Sequence, residues 1–171
     1  MDRFTKSLRS AIAHGDWYVA LSSALTLPDV CARIVEPYEK SSEKRYTKWF
    51  KHWMEPLYTV DMPEGGPTVF LSGGDCYALR CSYLHEGGAN ITAQRARQAL
   101  NDFHFVSTPP PGWEVHRNMI DRTLQLQVDI FCSEMADAVD NWASSVAADQ
   151  DIQNRMNALL IIHINSPFVI N

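Results

Sequence analysis

The segment SGGDCYALRCSYLHEGG, residues 72–88, contains both a start signal and a stop signal for a helix. Ser72 followed three residues later by Asp75 is close to a capping box, in which side chains satisfy the first free backbone N–H groups of a helix. Gly87 and the glycine after it end the pattern, as glycine commonly does beyond the last helical turn. The segment therefore predicts a helix near residues 72–86.

Two polar side chains of this predicted helix, Arg80 and His85, lie outside its stripe of small and apolar residues. Because five residues of an ideal helix turn through about 500°, the two side chains are expected to point roughly 140° apart. One chain should therefore not present them side by side unless the last turn loosens at the glycines. They could form a functional pair, or they could be ordinary surface residues. In the second case Arg80 pairs with Asp75 or Glu86, and His85 is favoured by the helix dipole.

Steps of three and four between apolar residues predict further helices on both sides of this segment. One covers residues 2–14, and a long apolar helical stretch follows over 16–40, in which Pro28 is expected to start a second segment. A long C-terminal core helix is expected over 123–146, with Thr123 as its cap. The chain is therefore predicted to be mainly α, with five or more helices.

The segment KSSEKRYTKWFKH, residues 40–52, has five Lys or Arg residues and one Glu, a net charge of +4 that leaves −9 for the rest of the chain. Its aromatic residues and a following leucine recur at helical steps: Tyr46, Trp49, Phe50, Trp53 and Leu57. These residues could stack on bases, although such a stripe more often belongs to the core. Lys44, Lys48 and Lys51 lie on the opposite stripe. They are candidates to bind RNA or a partner protein, or they only keep the helix solvated.

Two regions do not follow helical spacing. Residues 55–71 are predicted to be a loop because prolines and glycines interrupt them. Residues 103–118 alternate apolar and polar side chains around a proline-rich turn, which predicts a small β-hairpin inserted between helices. Paired strands would bring His104 and His116 together, where they could hold a metal. No carboxylate or thiol lies at a convincing spacing beside them, so surface histidines are expected.

The composition favours one soluble domain over residues 1–171, because 46% hydrophobic residues in a chain of 171 can form one sizeable core. No continuous apolar run of membrane-spanning length is seen, so a cytoplasmic protein without a membrane partner is expected. The apolar segment at 159–171 is expected to be packed or used in self-association. The net charge of −5 argues against coating nucleic acid by electrostatics alone. Reduced core thiols are expected for the four cysteines, Cys31, Cys76, Cys81 and Cys132.

The run Arg-Cys-Ser-Tyr-Leu-His, from Arg80 to His85, resembles the R-x4-H signature of the HEPN superfamily. The order of the predicted helices over about residues 1–160 is also similar to that superfamily, and the surrounding sequence resembles helical bacterial proteins of no assigned function. The resemblance implies a HEPN-like helical bundle. It also implies a homodimer in which Arg and His from both chains line one cleft, which would bring the diverging side chains together.

The resemblance further implies a metal-independent endoribonuclease of a toxin or defence type, with no cofactor. His85 would take a proton from a ribose 2′-hydroxyl, and Arg80 would hold the scissile phosphate. Cys81 lies where catalytic members usually have Asn, Asp or His, so the alternative is a non-catalytic module that binds RNA or a partner protein. A third hypothesis is a small-molecule or metal-binding bundle that uses His104, His116 and the loop before the capping serine.

Overall fold

The computed structural model describes residues 1–62 and 65–162 and shows a mainly α protein. These described residues form six α-helices: α1 (Asp2–Ala13), α2 (Trp17–Val35), α3 (Ser42–Trp53), α4 (Gly73–Glu86), α5 (Val128–Ser145) and α6 (Gln150–Asn157). A short 3-10 helix covers Glu55–Tyr58. The strands are β1 (Thr59–Met62), β2 (Gly66–Val69), β3 (Asp102–Val106), β4 (Asn118–Ile120) and β5 (Thr123–Gln127). The prediction of a mainly α chain with five or more helices is confirmed.

Helix α2 is the centre of the bundle and contacts each of the other five helices. It continues through the buried Pro28, so the prediction that a second segment begins there is wrong. The apolar face continues on both sides of the proline, and packing of that face outweighs the loss of one backbone hydrogen bond. The helix ends at Val35, two residues before Pro37, since the residue before a proline disfavours helical geometry.

By length and composition alone, α2 is the one helix in the described ranges that could cross a membrane, with a mean hydropathy of 1.3. The sequence predicts no such run because Asp29 and Arg33 interrupt the apolar residues of this stretch. The mean hydropathy of the helix is nevertheless high enough for a span. Half of the membrane-length window is buried inside the protein, which is also typical of a central core helix. The cytoplasmic location stays a prediction.

Helix α4 begins and ends at the residues that the sequence predicts. The Ser72 hydroxyl accepts a hydrogen bond from the Asp75 backbone N–H at 3.1 Å and donates one to the Asp75 carboxylate at 2.8 Å. Gly87 closes the helix in the left-handed region, with φ of 70°. At Gly73, a Cβ atom would lie 2.8 Å from the Thr47 carbonyl oxygen, so glycine permits α4 to approach α3 closely.

The predicted hairpin near 103–118 is wrong, because β3 and β4 do not pair with each other. Strand β5 lies between them, parallel to β3 and antiparallel to β4. The apolar residues of β5, Leu124 and Leu126, are buried at the two-residue period of a strand. Leu124 also lies four residues before Val128, which is why the sequence reads as one long helix. Helix α5 therefore begins at Val128, and Thr123 is a strand residue, not its cap.

A hairpin does occur in residues 55–71, which were predicted to be a loop. Strands β1 and β2 pair antiparallel, with Thr59 opposite Val69. Most of their side chains are exposed, so the alternation that marks a half-buried strand is absent from the sequence.

Three residues of the predicted stripe belong to the core, while Trp53 is half-buried and Leu57, beyond the end of α3, is exposed. Tyr46 and Phe50 are fully buried, and Trp49 is nearly so. The four cysteines are free, and three of them are buried: Cys31, Cys76 and Cys132. Of the apolar C-terminal segment, residues 163–171 lie outside the described residues, while Leu160, Ile161 and Ile162 are exposed.

Candidate functional site

Arg80 and His85 meet within one chain. Nη1 of Arg80 lies 3.3 Å from Nε2 of His85, although α4 stays regular to Glu86. The expectation that the two side chains diverge is wrong because it assumes that both extend straight out from the helix axis. Their positions are only about 7.5 Å apart along the helix axis, and the long arginine side chain turns along the axis to cover this distance. Divergence within one chain therefore no longer argues for a composite cleft between two copies.

The ion-pair partner of Arg80 is Asp29 on α2, instead of the predicted Asp75 or Glu86. Nε of Arg80 lies 2.8 Å from Oδ2 of Asp29, and the two side chains are 23% and 19% exposed. The Nε–H bond does not point at the oxygen, so the contact is an ion pair without an aligned hydrogen bond. Burial raises the pKa of Asp29 above its usual value, against the opposing effect of the Arg80 charge.

Asp75 is unavailable to Arg80 because its carboxylate holds the loop before β3. It is 1% exposed and accepts hydrogen bonds from the backbone N–H groups of Gln98, Ala99 and Leu100. Glu86 accepts a hydrogen bond from the Gln94 side chain. The acidic residues of α4 thus support a neighbouring loop, and the arginine is free to reach α2.

Arg80 lines an open cleft of about 600 Å³, which we call the arginine cleft. Its walls come from α2, α3, α4 and α6 and from the segment after α2. Each of these helices contributes one arginine: Arg33, Arg45, Arg80 and Arg155. Asp29 is the one carboxylate among the lining residues, so four guanidinium groups face one opposite charge. Guanidinium groups donate paired hydrogen bonds that match the oxygens of a phosphate, so the cleft is suited to an anion.

Backbone carbonyls hold the arginines in place without using all of their donors. Nε of Arg155 donates to the Ile34 carbonyl at 2.7 Å, and Nη1 of Arg45 donates to the Glu39 carbonyl. Each guanidinium has five N–H donors, so most remain available. Nε of Arg45 and Nε of Arg80 are buried and have no hydrogen-bond partner in the described part of the chain.

The sequence indicated only one of the four cleft arginines. The other three, Arg33, Arg45 and Arg155, come from helices far apart in the chain, so no local spacing marks them as a group. The basic segment at residues 40–52 includes Arg45, but its helical spacing favours the lysines of that segment as the binding residues.

The three candidate lysines of α3 do not join Arg80 and His85. Lys48 forms an ion pair with Glu36, and Lys48 and Lys51 line a different cavity beside α3. Lys44 is exposed and is not among the residues that line the arginine cleft.

His104 and His116 have separate partners. His104 is exposed and lies 3.1 Å from the Gln125 side chain. His116 is buried, so the expectation of a surface histidine is wrong there. Its Nε2 lies 3.4 Å from Oε2 of Glu134, and its Nδ1 accepts the Gln127 backbone N–H. Within residues 1–62 and 65–162, no group of three or more His, Cys, Asp or Glu side chains is arranged to hold a metal ion.

Comparisons of the chain with protein-family models, with curated proteins and with solved structures find no match. The functional conclusion must therefore rest on the chemistry of Arg80, His85 and the arginine cleft.

Proposed function

We propose that the chain is a HEPN-like, metal-independent endoribonuclease whose Arg80 and His85 act on a phosphate held at the arginine cleft. The observation that carries this proposal is the contact of 3.3 Å between Arg80 and His85, made by an arginine that also lines a cleft with three others. The imidazole of His85 offers a proton acceptor, and the neighbouring guanidinium can hold a phosphodiester. These are the two requirements for cleavage by the adjacent 2′-hydroxyl.

In the proposed reaction, His85 removes the proton of the ribose 2′-hydroxyl. The 2′-oxygen attacks the phosphorus while the bond to the 5′-oxygen breaks. The products are a 2′,3′-cyclic phosphate and a 5′-hydroxyl, whose oxygen takes its proton from water, and His85 then releases to solvent the proton that it removed. Arg80 donates to the phosphate oxygens, on which negative charge develops during attack.

The contact between the two residues defines the starting state of the base. A guanidinium has only donors, so this contact is a hydrogen bond in the tautomer whose proton is on Nδ1 and whose Nε2 accepts from Arg80. When a phosphate binds Arg80, this N–H turns to the phosphate and leaves the Nε2 lone pair available for the 2′-hydroxyl. Substrate binding would thus activate the base.

The alternative is a non-catalytic HEPN-like module that binds RNA or a partner protein. It is supported by the ion pair of Arg80 with Asp29, which already offsets the arginine charge. Cys81, in the position after the arginine, supports it as well. Binding in this case needs the cleft arginines but not His85.

The HEPN resemblance also leads us to propose a homodimer in the bacterial cytoplasm. The exposed side chains of Leu160, Ile161 and Ile162, in the segment after α6, support self-association, because consecutive exposed apolar residues favour burial against another surface. Light scattering at micromolar concentration tests this, and a strict monomer would contradict it.

Cleavage of a panel of transfer, messenger and structured RNAs tests the proposed function. Wild type should cut in the presence of chelators and leave cyclic phosphate ends. His85→Ala should cut about a hundredfold more slowly, since general-base catalysis contributes at least that much. His14→Ala is the matched control, because His14 is also exposed and near a helix end but follows α1, as its C-terminal cap. It should cut like wild type.

The other outcomes are equally informative. Equal cleavage by wild type and His85→Ala points to a contaminating nuclease and rejects the catalytic assignment. Salt-dependent RNA binding without cleavage, lost in Arg33→Ala and Arg155→Ala but retained in His85→Ala, selects the non-catalytic alternative.

A further inference from the structure

A second cavity, of about 540 Å³, lies beside α3, between the end of α2 and the end of α5. We call it the tryptophan cavity, because three of the five tryptophans in the chain line it: Trp49, Trp53 and Trp142. Val35 and Val146 complete its apolar surface. Its volume lies within the roughly 300–1,000 Å³ of small-molecule sites, and aromatic walls are typical of such sites.

Cations line one part of this cavity. Arg45, Lys48 and Lys51 are among its lining residues, with Glu36 as the one carboxylate. Lys48 pairs with Glu36, which leaves Arg45 and Lys51 to face an anion. Flat aromatic side chains favour a planar ring, and the two remaining cations favour a negative group on the same molecule.

Two side chains of the cavity have buried donors without a partner. The indole N–H of Trp49 and the Nε–H of Arg45 find no acceptor among the residues that the structure describes. Buried donors are nearly always satisfied in folded proteins, by protein groups or by ordered water, which a ligand can displace. A ligand rich in hydrogen-bond acceptors would accept from the indole N–H of Trp49 and the Nε–H of Arg45.

We propose that the tryptophan cavity binds a nucleotide, with its base against Trp53, the most exposed of the three tryptophans, and its phosphate at Arg45 and Lys51. The base supplies a planar ring with acceptor nitrogens, and the phosphate supplies the negative charge. The nucleotide could be free or part of an RNA chain. Arg80 and His85 are not among the lining residues, so this proposal does not depend on RNA cleavage. Arg45 also lines the arginine cleft, so the two cavities share one arginine.

Titration of the full chain with adenosine monophosphate, adenosine or inorganic phosphate tests the proposal, with tryptophan fluorescence as the signal. The monophosphate should quench the fluorescence saturably, and each fragment alone should bind at least tenfold more weakly. A parallel titration with a short oligoribonucleotide separates the two sources. Binding of the oligonucleotide alone assigns the site to RNA, and binding of the monophosphate assigns it to free nucleotides.

Variants locate the site. Lys51→Glu changes an exposed residue and should weaken binding at least tenfold without unfolding the protein. Trp49→Phe keeps an aromatic ring and removes the unpartnered N–H, so it should weaken binding less. Trp113→Phe is the control, because Trp113 is 73% exposed and does not line the cavity, and it should bind like wild type. His85→Ala should also bind like wild type.

Two results would overturn the proposal. One is the absence of saturable binding of any nucleotide at millimolar concentration. The other is equal binding by wild type and Lys51→Glu, which would place the nucleotide elsewhere. Loss of RNA cleavage in His85→Ala with nucleotide binding intact would separate this site from the cleavage site.

Discussion

Arg80 on α4 and Asp29 on α2 form an ion pair at 2.8 Å, so the arginine of the candidate site also joins two helices of the bundle. Both side chains are less than one quarter exposed. His85, in contrast, is exposed, contacts Arg80 and is not among the residues that line the arginine cleft. The two residues of the motif therefore differ in how much the fold depends on them.

Replacing Arg80 by alanine should lower the free energy of unfolding by about 1–3 kcal/mol, because it leaves the half-buried Asp29 carboxylate without its partner. His85→Ala should change stability by less than about 0.5 kcal/mol. Denaturant unfolding measures both. The double variant Asp29→Asn/Arg80→Ala should be more stable than Arg80→Ala alone. A double variant that is less stable than either single variant would show that the pair does not account for the loss.

Asp75→Ala should be among the most destabilising changes in the described chain, by about 2–4 kcal/mol. The carboxylate is buried and accepts three consecutive backbone N–H groups, and removing it leaves these donors unpaired. Asp75→Asn keeps one acceptor oxygen and should cost less. Urea unfolding, with hydrogen exchange of the Gln98 and Leu100 amides, measures the effect. Unchanged exchange at these amides would contradict the assigned role.

The half-buried carboxylate of Glu134 should make stability depend on acid pH. Burial raises its pKa, but His116, Tyr58 and Arg117 together lower the pKa below the usual 4.5. The unfolded chain then takes up this proton at a higher pH than the native protein does. The stabilisation is therefore present above about pH 4.5 and is lost as pH falls through the native pKa.

Thermal melting of wild type and Glu134→Gln tests this pH dependence. At pH 7 the variant should melt at a lower temperature, because the neutral amide is a weaker partner for Arg117 and for the Tyr58 hydroxyl. The difference should shrink as pH falls below 4.5. A difference that stays constant from pH 7 to pH 3 would contradict the assignment.

Cys81 should be the one cysteine that reacts quickly with a thiol reagent in the native protein. Burial raises the pKa of Cys76 and of Cys132 to about 12, and raises the pKa of Cys31 as well. The reactive thiolate is therefore scarce at these three positions. A colorimetric thiol assay should report one fast equivalent in buffer and four in denaturant. Cys81→Ser should remove the fast equivalent, and its persistence in that variant would refute the prediction.

The sequence by itself determined the elements whose signals lie within a few residues. Helix α4 is predictable because Ser72 and Asp75 cap the backbone N–H groups at its start, and Gly87 ends it in the left-handed region. The core face of α3 followed from the spacing of Tyr46 and Phe50, since a helix brings residues three and four apart to one side. These features depend on local hydrogen bonds and periodicity, and tertiary packing did not alter them.

The tertiary structure alone decided the partners that lie far apart in the chain. Strand β5 pairs with β3, and Leu124 of β5 lies opposite Phe103 of β3. Because Leu124 is four residues before Val128, the sequence of this strand fits a helical pattern. The contact of Arg80 with His85 depends on the path of one flexible side chain. The arginine cleft brings together residues of four helices, from Arg33 to Arg155. Such groupings arise from how buried faces pack against each other, and no local spacing in the sequence records which faces will meet.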